Sequence, residues 1–143
     1  MTGAAVRKRQ AELSQPDVDW SEVAASLDAK GFAVMPGLLP AETCAAVAGL
    51  YPDDERFRSR IVMARHGFGK GEYKYFAYPL PDPVATLRAG LYPDLARIAN
   101  RWNMEMGIDM QYPKAHAEFL KRCHDAGQTR PTPLLLQYVA GDY

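Results

Sequence analysis

His116-Ala117-Glu118 is where side chains that bind metals stand at a spacing used by metal sites. A His-x-carboxylate pair with one more distant histidine can hold a non-haem iron(II) ion and leave coordination positions open. That needs extended or looped backbone, so that both side chains converge. Here the apolar spacing predicts a helix over 113–126, where residues two apart point about 200° away from each other. His124 faces more nearly as His116 does, but eight residues on it lies about 12 Å further along the axis. A metal draws each nitrogen to about 2 Å. No metal site is therefore expected, and His66, His116 and His124 read as surface or partly packed residues.

Nucleophiles are no better placed. Cys44 and Cys123 are far apart and in no paired motif; Cys123 and His124 are adjacent on a predicted helix and point in different directions. Ser14, Ser21, Ser26 and Ser59 lack a Gly-x-Ser-x-Gly context. Gly67-Phe68-Gly69-Lys70-Gly71 is glycine-rich but has neither Walker spacing nor a hydroxyl residue after the lysine. No catalytic residue is assigned.

One stretch could hold a ligand. From Glu55 to Lys74 run Arg56, Arg58, Arg60, Arg65, Lys70 and Lys74, opposed by Glu55 and Glu72 and interleaved with Phe57, Phe68, Tyr73, Tyr75 and Phe76. Cations beside ring faces suit phosphates, carboxylates and bases. Simple strand alternation, with Arg58, Arg60 and Lys74 on wet faces, accounts for the same pattern. Both readings stay open.

The elements that must carry these residues are mostly helical. Asp17 or Asp19 can cap a helix over about 20–30 with Trp20, Val23 and Leu27 on one stripe and Gly31 as its stop. Phe32 to Met35 reads as a short strand ended by Pro36-Gly37, and Pro40 as the first residue of a helix to about Leu50, buried by Cys44, Val47 and Leu50. Strands over 60–64 and 73–78 flank the glycine-rich loop as a hairpin. Asp82–Leu91 and Pro93–Met106 read as two helices, because proline starts a helix better than it continues one. After the 113–126 helix the chain gives a last strand, Pro133–Val139, with apolar residues on both faces. The fold class is α+β, with residues 1–16 a polar extension and 17–143 one domain.

The bulk properties fit that picture. Of 143 residues 48% are hydrophobic and 24% charged, which suits a domain with a real core. Seventeen basic and seventeen acidic side chains cancel, so neither nucleic acid nor a membrane surface is expected as a main partner. With no secretory pattern, no apolar span and no disulfide framework, a cytoplasmic location is expected.

Three stretches carry a resemblance. "LDAKGFAVMPGLLPAETCAAVAGLY", "RIVMARHGFGKGEYKYFAYPLP" and "TRPTPLLLQYVAGDY", in this order from about Asp17 onward, resemble the N-terminal part of iron(II)/2-oxoglutarate-dependent oxygenases, specifically a bacterial branch related to prolyl hydroxylases. The resemblance implies a helical scaffold with the first strands of an incomplete double-stranded β-helix (jelly-roll). It also implies iron(II) and 2-oxoglutarate as cofactors of the complete fold, and a small-molecule or peptide substrate that is hydroxylated. In that family the Tyr-x-x-Gly-Asp strand end, here Tyr138 to Asp142, is followed by the iron-binding His-x-Asp, then by a distant His and a 2-oxoglutarate-gripping Arg. None of these follows within the 143 residues, so a fragment that is inactive alone and binds no cofactor is expected. Tyr138 resembles the tyrosine that points toward 2-oxoglutarate, and the loop with Arg65, His66, Phe68 and Lys70 would face substrate. With its sheet unfinished, the chain is expected to self-associate through 133–139. A small binding or interaction module, using hairpin 56–76 for an anionic ligand, is the other reading.

Overall fold

The computed structural model describes residues 17–143; the N-terminal extension over 1–16 lies outside them. The described chain falls into two compact units, 17–38 and 39–143, each taken by itself.

The first unit is built on α1, Trp20–Lys30. The Asp19 carboxylate accepts from the backbone N–H groups of Ser21 and Glu22 at 3.0 and 3.1 Å, satisfying donors that a helix start leaves free. Gly31 ends the helix in the left-handed conformation, its N–H donating to the Leu27 carbonyl. Val23 is buried, with Trp20 and Leu27 half-buried beside it, as the stripe predicts. The strand expected at 32–35 does not form. Apolar content alone cannot make a strand: the ladder needs a partner, and these residues have none among those described. They lead instead into a turn at Met35–Leu38 with Gly37 at φ 71°.

The second unit opens with α2, Ala41–Ala48, preceded by Pro40, whose carbonyl accepts from Thr43 and Cys44. None of its residues is buried; Cys44 is exposed, and Val47 and Leu50 are half-buried. An eight-residue helix covered on one side only cannot enclose the stripe expected of it.

Strands β1, Phe57–Val62, and β2, Glu72–Phe76, form an antiparallel hairpin as expected, but in place of 60–64 and 73–78: β1 starts earlier and stops where Met63 enters a 3₁₀ turn, and β2 ends at Phe76. β3, Leu134–Gln137, pairs antiparallel with the other edge of β2, giving a three-stranded sheet in the order β1-β2-β3. With β2 central, Lys74 and Phe76 are the most enclosed positions, and Phe76 is 1% exposed. The Phe76 ring stacks on Phe57 at 4.8 Å. A bulge between Phe57 and Ser59 turns Arg58 out of the ladder. Its guanidinium lies 4.4 Å above the Tyr75 ring and its Nε donates to the Pro131 carbonyl.

The two helices expected around Pro93 are one, α3, Asp82–Glu105. Proline forfeits one backbone bond there and costs about 3 kcal/mol. Leu87, Leu91, Ile98 and Trp102, at helical spacing on both sides of Pro93, are all at least half-buried, and that continuous stripe offsets the loss. α4, His116–Asp125, packs on α3 through Tyr92, whose ring lies 5.5 Å from Phe119 and 5.3 Å from His116. The segment joining them is held by side-chain amides: Asn103 donates to the Met110 carbonyl, and Asn100 both donates to the Tyr112 carbonyl and accepts from its N–H. The architecture is α+β, mixed helix with a small antiparallel sheet. No helix among the described residues is long and apolar enough to cross a membrane.

Candidate functional site at the hairpin tip and the last strand

The connection between β1 and β2 begins with a 3₁₀ turn, Met63–His66, that carries Arg65 and His66 outward. Its base is closed by the Met63 N–H on the Gly71 carbonyl at 3.0 Å and the Phe68 N–H on the Met63 carbonyl at 3.2 Å. Antiparallel pairing of β3 with β2 brings the end of the chain to this same corner. The Tyr138 hydroxyl lies 3.7 Å from Met63 Sδ, and the Lys70 N–H donates to the Tyr143 main-chain oxygen at 2.8 Å. Arg65, His66, Phe68, Lys70 and Tyr138, distant in sequence, thus share one end of the sheet.

Two glycines make that approach possible. A Cβ on Gly69 would stand 2.3 Å from the Tyr143 oxygen, and one on Gly71 2.8 Å from the Tyr138 ring. Both have positive φ, 98° and 124°. The glycine run is a seat for the 138–143 segment as well as a turn. That segment is itself ordered. The Asp142 N–H donates to the Val139 carbonyl, while the Asp142 carboxylate accepts from the Val139 N–H at 2.9 Å.

Of the basic-aromatic stretch, most of the charge is committed internally. Arg56 pairs with Asp53 at 2.9 Å, and Arg60 pairs with Glu72. Lys74, which simple strand alternation would put on a wet face, is 6% exposed: its ammonium donates to the Tyr51 carbonyl at 2.8 Å and the Asp54 carboxylate at 2.7 Å, over the Tyr51 and Phe57 rings. Alternation conceals this because a central strand is covered on both faces. Hydrogen bonding from Lys74, then its charge, holds the Asp54 carboxyl below its ordinary pKa. Burial raises the Tyr51 phenol, and the nearby Glu72 carboxylate adds to the rise. Arg65 and Lys70 have no acidic partner among the described residues.

The histidines do not converge. His116 opens α4 against Tyr92, where burial, and secondarily the Arg88 guanidinium, lower its pKa. His124 lies against Tyr78, and His66 stacks on Phe68. No group of three or more His, Cys, Asp or Glu side chains that could hold a metal occurs among the described residues. The residues present do not fit an iron site. Sequence reasoning missed Met63 beside Tyr138 and Tyr143 against the Gly69–Lys70 backbone; the signal available was Gly69 and Gly71, whose need for close approach could have been weighed beside their flexibility.

Comparison with known proteins recognises the part of the chain from β2 onward, which holds α3, α4, β3 and Tyr138 but not the 63–70 connection. A family model described as "Oxygenase, catalysing oxidative methylation of damaged DNA" matches residues 71–143, from β2 through β3 and the closing turn, and the chain belongs to that family. Two uncharacterized proteins of Mycobacterium tuberculosis, from strains CDC 1551 / Oshkosh and H37Rv, are each 38% identical to it over 68 residues, which is 48% of this chain and 29% of each relative. The matched part therefore spans less than a third of the length of those curated relatives. No solved structure matches.

Proposed function

We propose that residues 17–143 are the N-terminal portion of an iron(II)/2-oxoglutarate-dependent oxygenase that oxidises damaged nucleic-acid bases. The observation that carries this reading is the family match over 71–143, which covers β2, β3 and the Tyr138–Asp142 turn. The hydrogen-bonded geometry of that turn suits a strand end that reverses direction into further sheet. The described residues offer no iron ligand set. On this reading the ligands and the 2-oxoglutarate arginine lie beyond Tyr143, and no catalytic step is assigned to the residues present. Their work is structural and substrate-facing: α3 and α4 support the sheet, β3 aims Tyr138, and the 63–71 connection forms one wall.

A balanced net charge argued against a protein that coats nucleic acid. An enzyme that handles one damaged base needs only a local patch, and the family's description favours DNA over the small-molecule or peptide substrate that the resemblance implied. A stand-alone anion-binding module is the weaker alternative, because Arg56, Arg60 and Lys74 are already paired with acidic side chains of the same chain. The test is the reading frame after codon 143. A His-x-Asp within the next few codons is expected; a frame that continues for a domain's length without one would overturn the assignment.

A further inference from the structure

The hairpin tip differs from the rest of the basic-aromatic stretch in what it leaves unspent. Below the tip, each cation has an acidic partner, or, for Arg58, a carbonyl and a ring face. At the tip, Arg65 has no acidic partner among the described residues, and the Lys70 ammonium lies only over the Tyr143 ring at 5.5 Å. Phe68 is 60% exposed, in a loop whose glycines could have let it fold inward. It stacks with His66 at 5.5 Å and 22°, so two nearly parallel rings stand in water together. A stacked ring pair exposed in this way presents its outer faces to solvent, where a further flat ring can lie.

We propose that this tip is a contact for single-stranded nucleic acid, in which Phe68 and His66 stack on an unpaired base while Arg65 and Lys70 hold the flanking phosphates. The naming of nucleic acid rests on the oxygenase reading above; the choice of residues rests on the tip alone. Ring faces accept any base, and cations on either side of them follow a backbone without reading sequence. A base already out of its stack is also what an enzyme acting on base atoms must present to its active site. The tip would steady the strand around it and takes no part in the chemistry.

The probe is a fluorescein-labelled single-stranded oligonucleotide of about twelve nucleotides, titrated by fluorescence anisotropy over a salt series, with the matching duplex as a second arm. Tighter binding of the single strand is expected. Phe68→Ala should weaken it about tenfold. The wild-type salt slope should be roughly −1.4, at about −0.7 for each of two phosphates, and should vanish in the Arg65→Ala/Lys70→Ala double variant. All three side chains are exposed, so thermal melts should match wild type and separate a lost contact from a lost fold. Binding that is absent, that is unchanged by these substitutions, or that is equal for duplex and single strand would overturn the proposal. Binding that survives the substitutions would move the contact elsewhere on the chain and leave the oxygenase reading to the reading-frame test.

Discussion

The ammonium of Lys74 lies 2.8 Å from the Tyr51 carbonyl and 2.7 Å from the Asp54 carboxylate, 6% exposed and roofed by two rings. It ties the 51–56 connection to the centre of the sheet and has no evident role in binding. Lys74→Ala should therefore lower unfolding stability by about 2 kcal/mol, the value of a hydrogen-bonded charge that is well buried. The measurement is urea denaturation, and an unchanged midpoint would show the contact to be incidental. The Asp54 side of the pair gives a pH dependence. Its folded pKa is lowered, so its contribution is present above the ordinary value of 3.8 and is lost as pH falls from there through the folded value. Asp54→Asn should flatten the pH dependence of stability in that acid range while Lys74 stays in place. A variant that loses stability with acid as wild type does would place the effect on another carboxylate. The sequence shows an alternating basic stretch, and only the position of β2 between two strands reveals which lysine is dry.

The turn at 67–71 and the edge of β3 are the elements on which the candidate site depends. Gly67 has φ 70° with open space around its missing Cβ, whereas Gly71 has φ 124° and faces the Tyr138 ring at 2.8 Å. Gly67→Ala should cost about 1 kcal/mol from backbone strain. Gly71→Ala should cost about 3 kcal/mol, because strain is joined by displacement of the 138–143 segment. Thermal melts of both variants decide it, and equal losses would mean that the segment yields freely. β3 pairs on one side only among the described residues, with Leu136 56% and Val139 64% exposed. An apolar strand with an open edge recruits other strands. Residues 1–143 are expected to self-associate with rising concentration in sedimentation velocity, and Leu136→Lys to reduce that association. A wild-type chain that stays monomeric at high micromolar concentration would contradict the open-edge reading. Elements were legible where the signal is local: the Asp19 cap, the Gly31 stop and the hairpin all form as expected. They were misread where a distant partner decides. Residues 32–35 lack a second strand, and the 82–105 helix runs through Pro93 because its stripe has something to pack against.

For the molecule as a whole, the three motif stretches taken in order were the most informative signal. Those stretches, the last ending in Tyr-x-x-Gly-Asp, resembled an oxygenase, and the family match over 71–143 agrees at the level of an oxygenase family. The loop and Tyr138 lie at the same end of the sheet, through Met63 and Gly71, but that placement follows from the β2–β3 pairing, which joins residues some 60 positions apart and leaves no mark in local spacing. Iron(II), 2-oxoglutarate and the nucleic-acid substrate belong to the proposed reading, and turnover tests it. The measurement is aerobic conversion of 2-oxoglutarate to succinate with added iron(II) and ascorbate, for residues 1–143 alone and for the chain continued through the codons after Tyr143. Residues 1–143 alone should give no succinate above an iron-only blank, and the continued chain should give turnover. Succinate from residues 1–143 would contradict the reading, since it would require an iron site that the described side chains do not form, and an inert continued chain carrying a His-x-Asp would contradict the assignment of the chemistry.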